Sequence, residues 1–465
     1  METLQRTANR GSVSTGYDID NSLKLEDDNT EGMAKNFTGD GDRRTWTYST
    51  WVKRTEVTGS DAFHLFGASY SNIQFMTNDL LRVELYDGSN TRYADLNRIF
   101  RDTSAWYHIV VALDSTQSTA ADRVKIYING VQDTSFNNNT YTNMSQNDQF
   151  DFGSASANYQ FGYYFAGGSN DRRFCGYVAE THYVNGTALT SDSFGEFDSD
   201  TGIWIPKAYS GSHGSKGFYF KFDDSSNLGK DSASSGIGDF TLTNISAANQ
   251  ATDTPTNNFA TLNPLIYDIN TSDDESYVLT EGATKIASSQ SRYAQNPATI
   301  GLNIASGGKW YFEWTATSTA NGSTSEGLCG LGFDTQISAG LNSTGVYNAG
   351  YAFYAAGFGH GDGYGANVVN GLLIDLDNNK VKWYRDGTLH VTMPDDGGGS
   401  TMQTSGYAFP YIAPYGSGYT ILVNFGGFTT QTISSGNSDP NGYGNFEYPT
   451  QGGYSICTKN LAEFG

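Results

Sequence analysis

One short pattern occurs twice in this chain. Ile109 to Asp114 reads I-V-V-A-L-D and is followed, after a polar loop, by V-K-I-Y-I-N-G from Val124 to Gly130. Far downstream, Leu372 to Asp377 reads L-L-I-D-L-D and is followed by V-K-W-Y-R-D-G from Val381 to Gly387. Each copy is an apolar strand, a turn, an alternating strand and an Asn-Gly or Asp-Gly pair. Such pairs accept positive φ at both central residues, which closes a tight hairpin with the twist of its flanking strands. The repetition predicts two β-sandwiches of related construction.

Composition supports an all-β reading. Apolar residues make up 37% and aromatic residues 14%, with 31 Tyr, 27 Phe and 55 Gly. Turn-rich chains with cores of large flat side chains look like this, whereas disordered chains are poor in aromatics. The net charge of −22 offers no basic face for displacing phosphate counterions, so nucleic acid is not an expected partner. Cys175, Cys329 and Cys457 suit neither a metal site nor a disulfide framework, and read as free thiols or one pair plus one spare. The N-terminus is polar and no run approaches 18 apolar residues, so neither a signal peptide nor a transmembrane helix is expected.

Short alternating segments recur along the chain with no long helical period, the signature of a sandwich or barrel. Trp46-Thr-Tyr-Ser-Thr-Trp-Val52 and Trp310-Tyr-Phe-Glu-Trp314 are the strongest strands. The expected organisation is an arm (1–20), a first sandwich (21–225), an ordered connector (226–264), a second sandwich (265–457) and a tail (458–465). The connector is rich in turn residues but carries Phe240, Leu242, Ile245, Phe259 and Leu262, which could pack along a neighbouring sandwich.

These strings carry a resemblance. Trp46-Thr-Tyr-Ser-Thr-Trp-Val, Trp106-Tyr-His-Ile-Val-Val-Ala-Leu-Asp, Val124-Lys-Ile-Tyr-Ile-Asn-Gly and Gly176-Tyr-Val-Ala-Glu-Thr-His-Tyr-Val-Asn-Gly resemble the strands of a laminin-G-like, concanavalin-A-type sandwich. G-K-W-Y-F-E-W, G-L-C-G-L-G-F, I-D-L-D-N-N-K-V-K-W-Y-R-D-G and Tyr407-Ala-Phe-Pro-Tyr-Ile resemble a SPRY domain in order. This pair, joined by D-T-P-T-N-N-F-A-T-L-N-P, is similar to virion proteins of tailed bacteriophages, especially marine ones, as are S-F-G-E-F-D-S-D-T-G-I-W-I-P-K and Gly-Tyr-Ser-Ile-Cys-Thr-Lys-Asn-Leu. The resemblance spans nearly all of 20–460. It implies a fibre, spike or capsid-decorating protein made in the host cytoplasm and exposed on the particle.

Several constellations are candidates for chemistry. Gly357 to Gly365 alternates glycine with Phe358, His360, Asp362 and Tyr364. Aromatic faces and carboxylates of this kind hold sugars, and glycines let backbone approach a ligand. The alternative is a long turn whose aromatic residues seal a sandwich edge. Tyr163-Tyr164-Phe165, followed by a Gly-rich turn and Asp171, is a second candidate, with Tyr164 and Asp171 as its surface residues. Asp27, Asp28, Asp223 and Asp224 are weak candidates for Ca²⁺, which takes six to eight oxygen ligands; otherwise no cofactor is expected. Asp377 is expected to cap the turn before Val381. Glu196-Phe-Asp198-Ser-Asp200 places carboxylates at alternate positions, as a glycosidase would need, but its flanks read as turns. The six histidines form no transition-metal motif, and His108, beside Trp106, reads as a core or edge residue.

The expectation is therefore two tandem concanavalin-A-like antiparallel β-sandwiches (jelly rolls), all-β, in a non-enzymatic virion protein contacting host-surface glycans. Other virion proteins and further copies of the chain, as a homotrimer or another symmetric assembly, are the expected partners. The alternatives are a glycan-cleaving enzyme on the same scaffold, or a purely structural capsid or tail component.

Overall fold

The computed structural model describes residues 16–27, 29–36, 38–57, 61–166, 169–265, 277–288, 296–318, 327–333, 353–354, 366–393, 395, 405–414 and 418–465. The chain divides into an N-terminal unit, Ser14–Thr256, and a C-terminal unit that includes Asn257–Gly465. Antiparallel sheets dominate both, as expected. Among the described residues no helix is long and apolar enough to cross a membrane.

The N-terminal unit stacks two eight-stranded sheets. The back sheet runs Val131–Asp133, Val124–Ile128, Tyr107–Asp114, Thr45–Arg54, Gly176–Asn185, Ser22–Leu25 and Gln250–Ala251, with Phe218–Phe220 paired to Gly176–Asn185. The front sheet runs Phe136–Asn138, Thr91–Ile99, Leu80–Tyr86, Ser71–Phe75, Phe63–Ala68, Asn158–Phe161, Gly32–Asn36 and Thr241–Thr243. Period-two alternation sends Trp46, Tyr48, Val52, Ile109, Val111, Ile126 and Ile128 into the space between the sheets, where Phe66, Ile73 and Val83 meet them. The first repeated hairpin pairs Ile109 with Ile128 and Leu113 with Val124. The Asn129-Gly130 turn then joins Val124–Ile128 to Val131–Asp133, with φ of 48° and 83°, as the Asn-Gly pair requires.

The connector assignment needs correction. Thr241–Thr243 extends the front sheet on Gly32–Ala34, and Gln250–Ala251 extends the back sheet on Ser22–Leu23. Asp253 is buried, taking Lys53 Nζ at 2.6 Å and Trp106 Nε1–H at 3.0 Å. Residues 226–256 therefore complete the first sandwich, and the boundary falls after Thr256. Strands of two or three residues are too short to show a period, so their turn-rich sequence concealed them. Within the arm, Ile19 is already buried and its N–H donates to Thr256 Oγ1.

The C-terminal unit follows the same logic. Its larger sheet runs Tyr277–Thr280, Lys285–Ser288, Tyr419–Asn424, Lys309–Ser318, Val369–Asp375, Lys380–Arg385 and Thr388–Met393, and Tyr454–Ser455 joins Lys309–Ser318 in parallel. The smaller sheet runs Asn296–Pro297, Tyr407–Pro414, Gly327–Phe333 and Phe353–Tyr354, with Leu302–Asn303 on Tyr407–Pro414. Trp310, Phe312 and Trp314 enter the core with Leu372, Ile374 and Trp383. In the second copy of the pattern the turn Asp386-Gly387 joins Lys380–Arg385 to Thr388–Met393, with φ of 44° and 74°. The cap before Val381 is Asp375, which accepts the Asn378 N–H; Asp377 instead accepts the Gly308 N–H at 2.7 Å. The expected tail is a short helix, Thr458–Phe464, whose Leu461 and Phe464 pack on the core. Cys175, Cys329 and Cys457 are all buried free thiols.

Candidate functional site on the front sheet

The outward face of the front sheet is polar and aromatic in register. One row across the strands is His64, Gln74, Arg82 and Asp95; the next is Gly67, Asn72, Glu84 and Tyr93. Alternation explains why these side chains share a face, because Phe66, Ile73, Val83 and Ala94 take the inward positions between them. Arg82 is bidentate to Asp95 at 2.8 and 2.7 Å and lies 4.5 Å over the Tyr93 ring. Asn72 Nδ2 donates to Glu84 Oε2 at 3.3 Å. Tyr86 ends the Glu84 strand on the same face, and Tyr70, 60% exposed, meets its ring edge-on at 5.2 Å.

The hairpin Tyr163–Ala166/Ser169–Arg173 folds onto this face. Tyr164 lies 5.6 Å from His64 and under the Arg172 guanidinium at 5.1 Å. Arg172 Nη1 donates to Gln74 Oε1 at 3.3 Å and approaches Glu84 at 3.8 Å. A register shift between Tyr163 and Tyr164 breaks the expected alternation, and both rings are 8% exposed. Tyr164 is thus a buried wall of the face and not a free surface platform. Asp171 stands opposite it in the backbone register. Gly67 is needed at the centre, since a Cβ there would lie 2.6 Å from both Asn72 Oδ1 and His64 Cε1. Burial drives the His64 pKa down to about 3, so its imidazole is neutral at physiological pH. Burial likewise raises the Tyr164 phenol, with Arg172 opposing. Asn72 and Gln74 are buried, so the face presents the half-buried Arg82, Glu84 and Arg172 over them, with exposed Tyr70 and half-buried Tyr86 at one edge. Such a set can hydrogen-bond and stack on a polyhydroxylated ligand.

The other sequence candidates land elsewhere. Phe358, His360, Asp362 and Tyr364 lie outside the described residues, as does Asp28. Asp27 comes near Glu26 and Cys175, with one ligand atom of each inside 4.8 Å; burial, then Glu26, Glu56 and Asp27, holds the Cys175 thiol protonated. Asp224 is occupied by Ser226 and Lys230, while Asp223 is exposed. Asp198 accepts Asp200 N–H, Thr201 N–H and Thr201 Oγ1–H, closing its own turn. Glu196 is more than half exposed, 3.6 Å from Lys207.

Sequence reading missed two buried constellations on the outer side of the back sheet. His108 is stacked between Trp51 at 4.6 Å and Trp204 at 5.9 Å, accepts Trp204 Nε1–H at Nδ1, and meets Ser49 Oγ through Nε2. His182 Nδ1 and His213 Nε2 are 3.0 Å apart. Beside them, Glu180 Oε1 accepts both the Tyr17 and Tyr219 hydroxyls at 2.6 and 2.5 Å. Glu180 sits at a strand irregularity with φ of 48°. Burial pushes its carboxyl up, but the hydrogen bonds from His182, Tyr17 and Tyr219 outweigh that and hold it below the usual range. Glu180 and His182 are two positions apart, as are Ser49 and Trp51, but their partners Tyr17, His213, Tyr219, His108 and Trp204 lie tens to hundreds of positions away, so no local motif could have joined the clusters.

Among curated proteins none matches the chain in sequence. Among solved structures, a putative carbohydrate binding protein from Bacteroides ovatus is 17% identical at TM-score 0.35, covering 50% of this chain and 60% of that one. Domains LG4-5 of the mouse laminin α1 chain are 9% identical at TM-score 0.28, over 88% and 90%. The SPRY domain of human HERC1 is 10% identical at TM-score 0.24, over 34% and 94%. A family model does match: residues 27–192, which hold most of both sheets of the N-terminal unit, fit the concanavalin A-like lectin/glucanases superfamily.

Proposed function

We propose that this chain is a non-enzymatic glycan-binding protein that makes its contact through the front-sheet face of the N-terminal unit. The observation that carries this reading is the cluster of half-buried Arg82, Glu84 and Arg172, seated on the buried, in-register Asn72 and Gln74 and bordered by Tyr86 and Tyr70. The lectin/glucanase family match over 27–192 supports it. Assignment to the surface of a tailed-phage particle, as a fibre, spike or decoration protein, rests on the motif order in the sequence. On a particle, many weak copies would act together through effective concentration.

A glycan array probed with the intact chain tests this. Binding is expected, and Tyr86→Ala or Arg172→Ala should each weaken it about tenfold, or roughly 1.4 kcal/mol. An array on which wild type and variants behave alike would remove the front face from consideration. The non-enzymatic part is checked by incubating host polysaccharide with the chain. No oligosaccharide release is expected; release that disappears in Glu196→Gln would establish the hydrolase instead.

A further inference from the structure

The back sheet carries a hollow on its outward side that the glycan-face proposal does not use. We propose that it is a second binding site, for a single neutral pyranose ring. The hollow has a volume of about 170 Å³ and is lined by side chains of the strands Tyr107–Asp114 and Val124–Ile128 and by residues 188–190. Its origin is readable in the residues. Ala112 and Lys125 are opposite in register, as are Val110 and Tyr127, all on the outward face. Ala112 and Ala188 are too small to fill the space between Tyr127 and the end of the hairpin. The 187–189 segment is held in place because Leu189 N–H donates to Thr47 Oγ1, which in turn donates to the Thr187 carbonyl, both at 2.8 Å.

Size selects one ring. A cavity of about 150 Å³ accommodates benzene, whereas drug-sized ligands occupy roughly 300 Å³ or more. Chemistry selects the kind of ring. One wall is apolar, made by Leu189, Ala112 and the Tyr127 ring. The same lining includes Asp122 and Lys125, whose charged atoms are 3.8 Å apart, beyond hydrogen-bond distance, with side chains 51% and 39% exposed. The ammonium can donate and the carboxylate can accept without first breaking a tight pair. Asp114, by contrast, is already filled by Thr116 and Gln117 and acts as a fixed rim. A planar hydrocarbon would desolvate the Asp122–Lys125 pair without compensation. An anionic ligand would face both carboxylates. A pyranose has an apolar C–H face for Tyr127 and a hydroxyl edge for the charged pair.

The site shares its ligand class with the front face but none of its residues, so the two stand or fall separately. The intact chain is titrated by NMR with glucose, galactose, mannose and N-acetylglucosamine. At least one should saturate with a Kd of about 1 mM. Ala188→Trp, a substitution at an exposed position that fills the hollow, should weaken that binding at least tenfold; Asp122→Asn and Lys125→Ala should weaken it several-fold, and Tyr86→Ala should leave it unchanged. If none of the four sugars saturates the wild type, or binding persists in both Ala188→Trp and Asp122→Asn, the site is refuted. Binding that is lost in Tyr86→Ala and retained in the hollow variants would also refute it, while sparing the front face.

Discussion

Replacing Glu313 by alanine is expected to cost the C-terminal unit about 5 kcal/mol or more, enough to unfold many domains outright. Glu313 is fully buried on the strand Lys309–Ser318, on the face opposite Trp310, Phe312 and Trp314. Its Oε1 accepts Tyr311 Oη–H at 3.1 Å and Tyr448 N–H at 3.0 Å; its Oε2 accepts Glu447 N–H at 3.0 Å, Gln431 Nε2–H at 3.2 Å and Asn424 Nδ2–H at 3.4 Å. One carboxylate thus fastens the covering segment around 431–448 onto the sheet. Hydrogen bonds to a charged acceptor contribute roughly 1.5–3 kcal/mol each, and donors left buried without a partner add a desolvation penalty. Glu313→Gln preserves the shape but turns an NH₂ group toward donors, so it should fall between wild type and alanine. Urea unfolding followed by tryptophan fluorescence measures the change. A loss below about 2 kcal/mol for Glu313→Ala would show that water substitutes for the carboxylate and that the segment is not fastened this way.

The N-terminal unit is expected to lose stability steeply between pH 6.5 and pH 3. His64 and His108 are buried, and burial depresses each pKa to about 3. For His108 the geometry explains why a second proton is unwelcome: Nδ1 already accepts an indole N–H, which has no lone pair to take a proton in return. In the unfolded chain both histidines titrate near 6.5. Above that value neither state binds the proton and the stabilisation is intact. Below it the unfolded state binds protons that the folded state refuses, so stability falls until pH reaches the folded values near 3. At pH 4 each residue accounts for about 3 kcal/mol. Glu313 works in the opposite sense: burial raises its carboxyl despite the five donors, so the C-terminal unit gains from that group as pH falls. Comparing urea midpoints at pH 7 and pH 4, resolved for the two units, checks the expectation. Burial also holds His213 of the same unit near 3, so His64→Gln should remove about a third of the histidine-linked pH dependence. An N-terminal midpoint that does not move between the two pH values would contradict the burial of both rings.

The same contrast between local and distant contacts runs through the candidate site. The front-sheet strand Leu80–Tyr86 reads L-L-R-V-E-L-Y, and its alternation announces that Arg82, Glu84 and Tyr86 share a face. Any solvated strand has that pattern, so nothing singled these residues out. Tyr164 drew notice because three aromatic residues are consecutive there. Its true surroundings, His64 a hundred positions upstream and Arg172 across a hairpin, depend on a register shift that no periodicity foretells. The histidine pair 182/213 and the carboxylate at 180 escaped for a related reason: the strand irregularity that turns Glu180 beside His182 has no marker in residue type.

By itself the sequence determined what short-range sterics and solvent dictate. Asn-Gly and Asp-Gly turns had to adopt positive φ, alternating strands had to bury one face, and Trp46, Tyr48, Trp310, Phe312 and Trp314 had to line two cores. Tertiary structure alone decided which polar residues meet. It brought residues 241–251 back onto strands near residue 23, set five donors around Glu313, and gathered His64, Asn72, Arg82, Glu84 and Arg172 on one face. The physical reason is range: backbone preference and hydrophobic period act over a few residues, whereas register, strand order and covering segments are settled by packing between positions far apart in the chain.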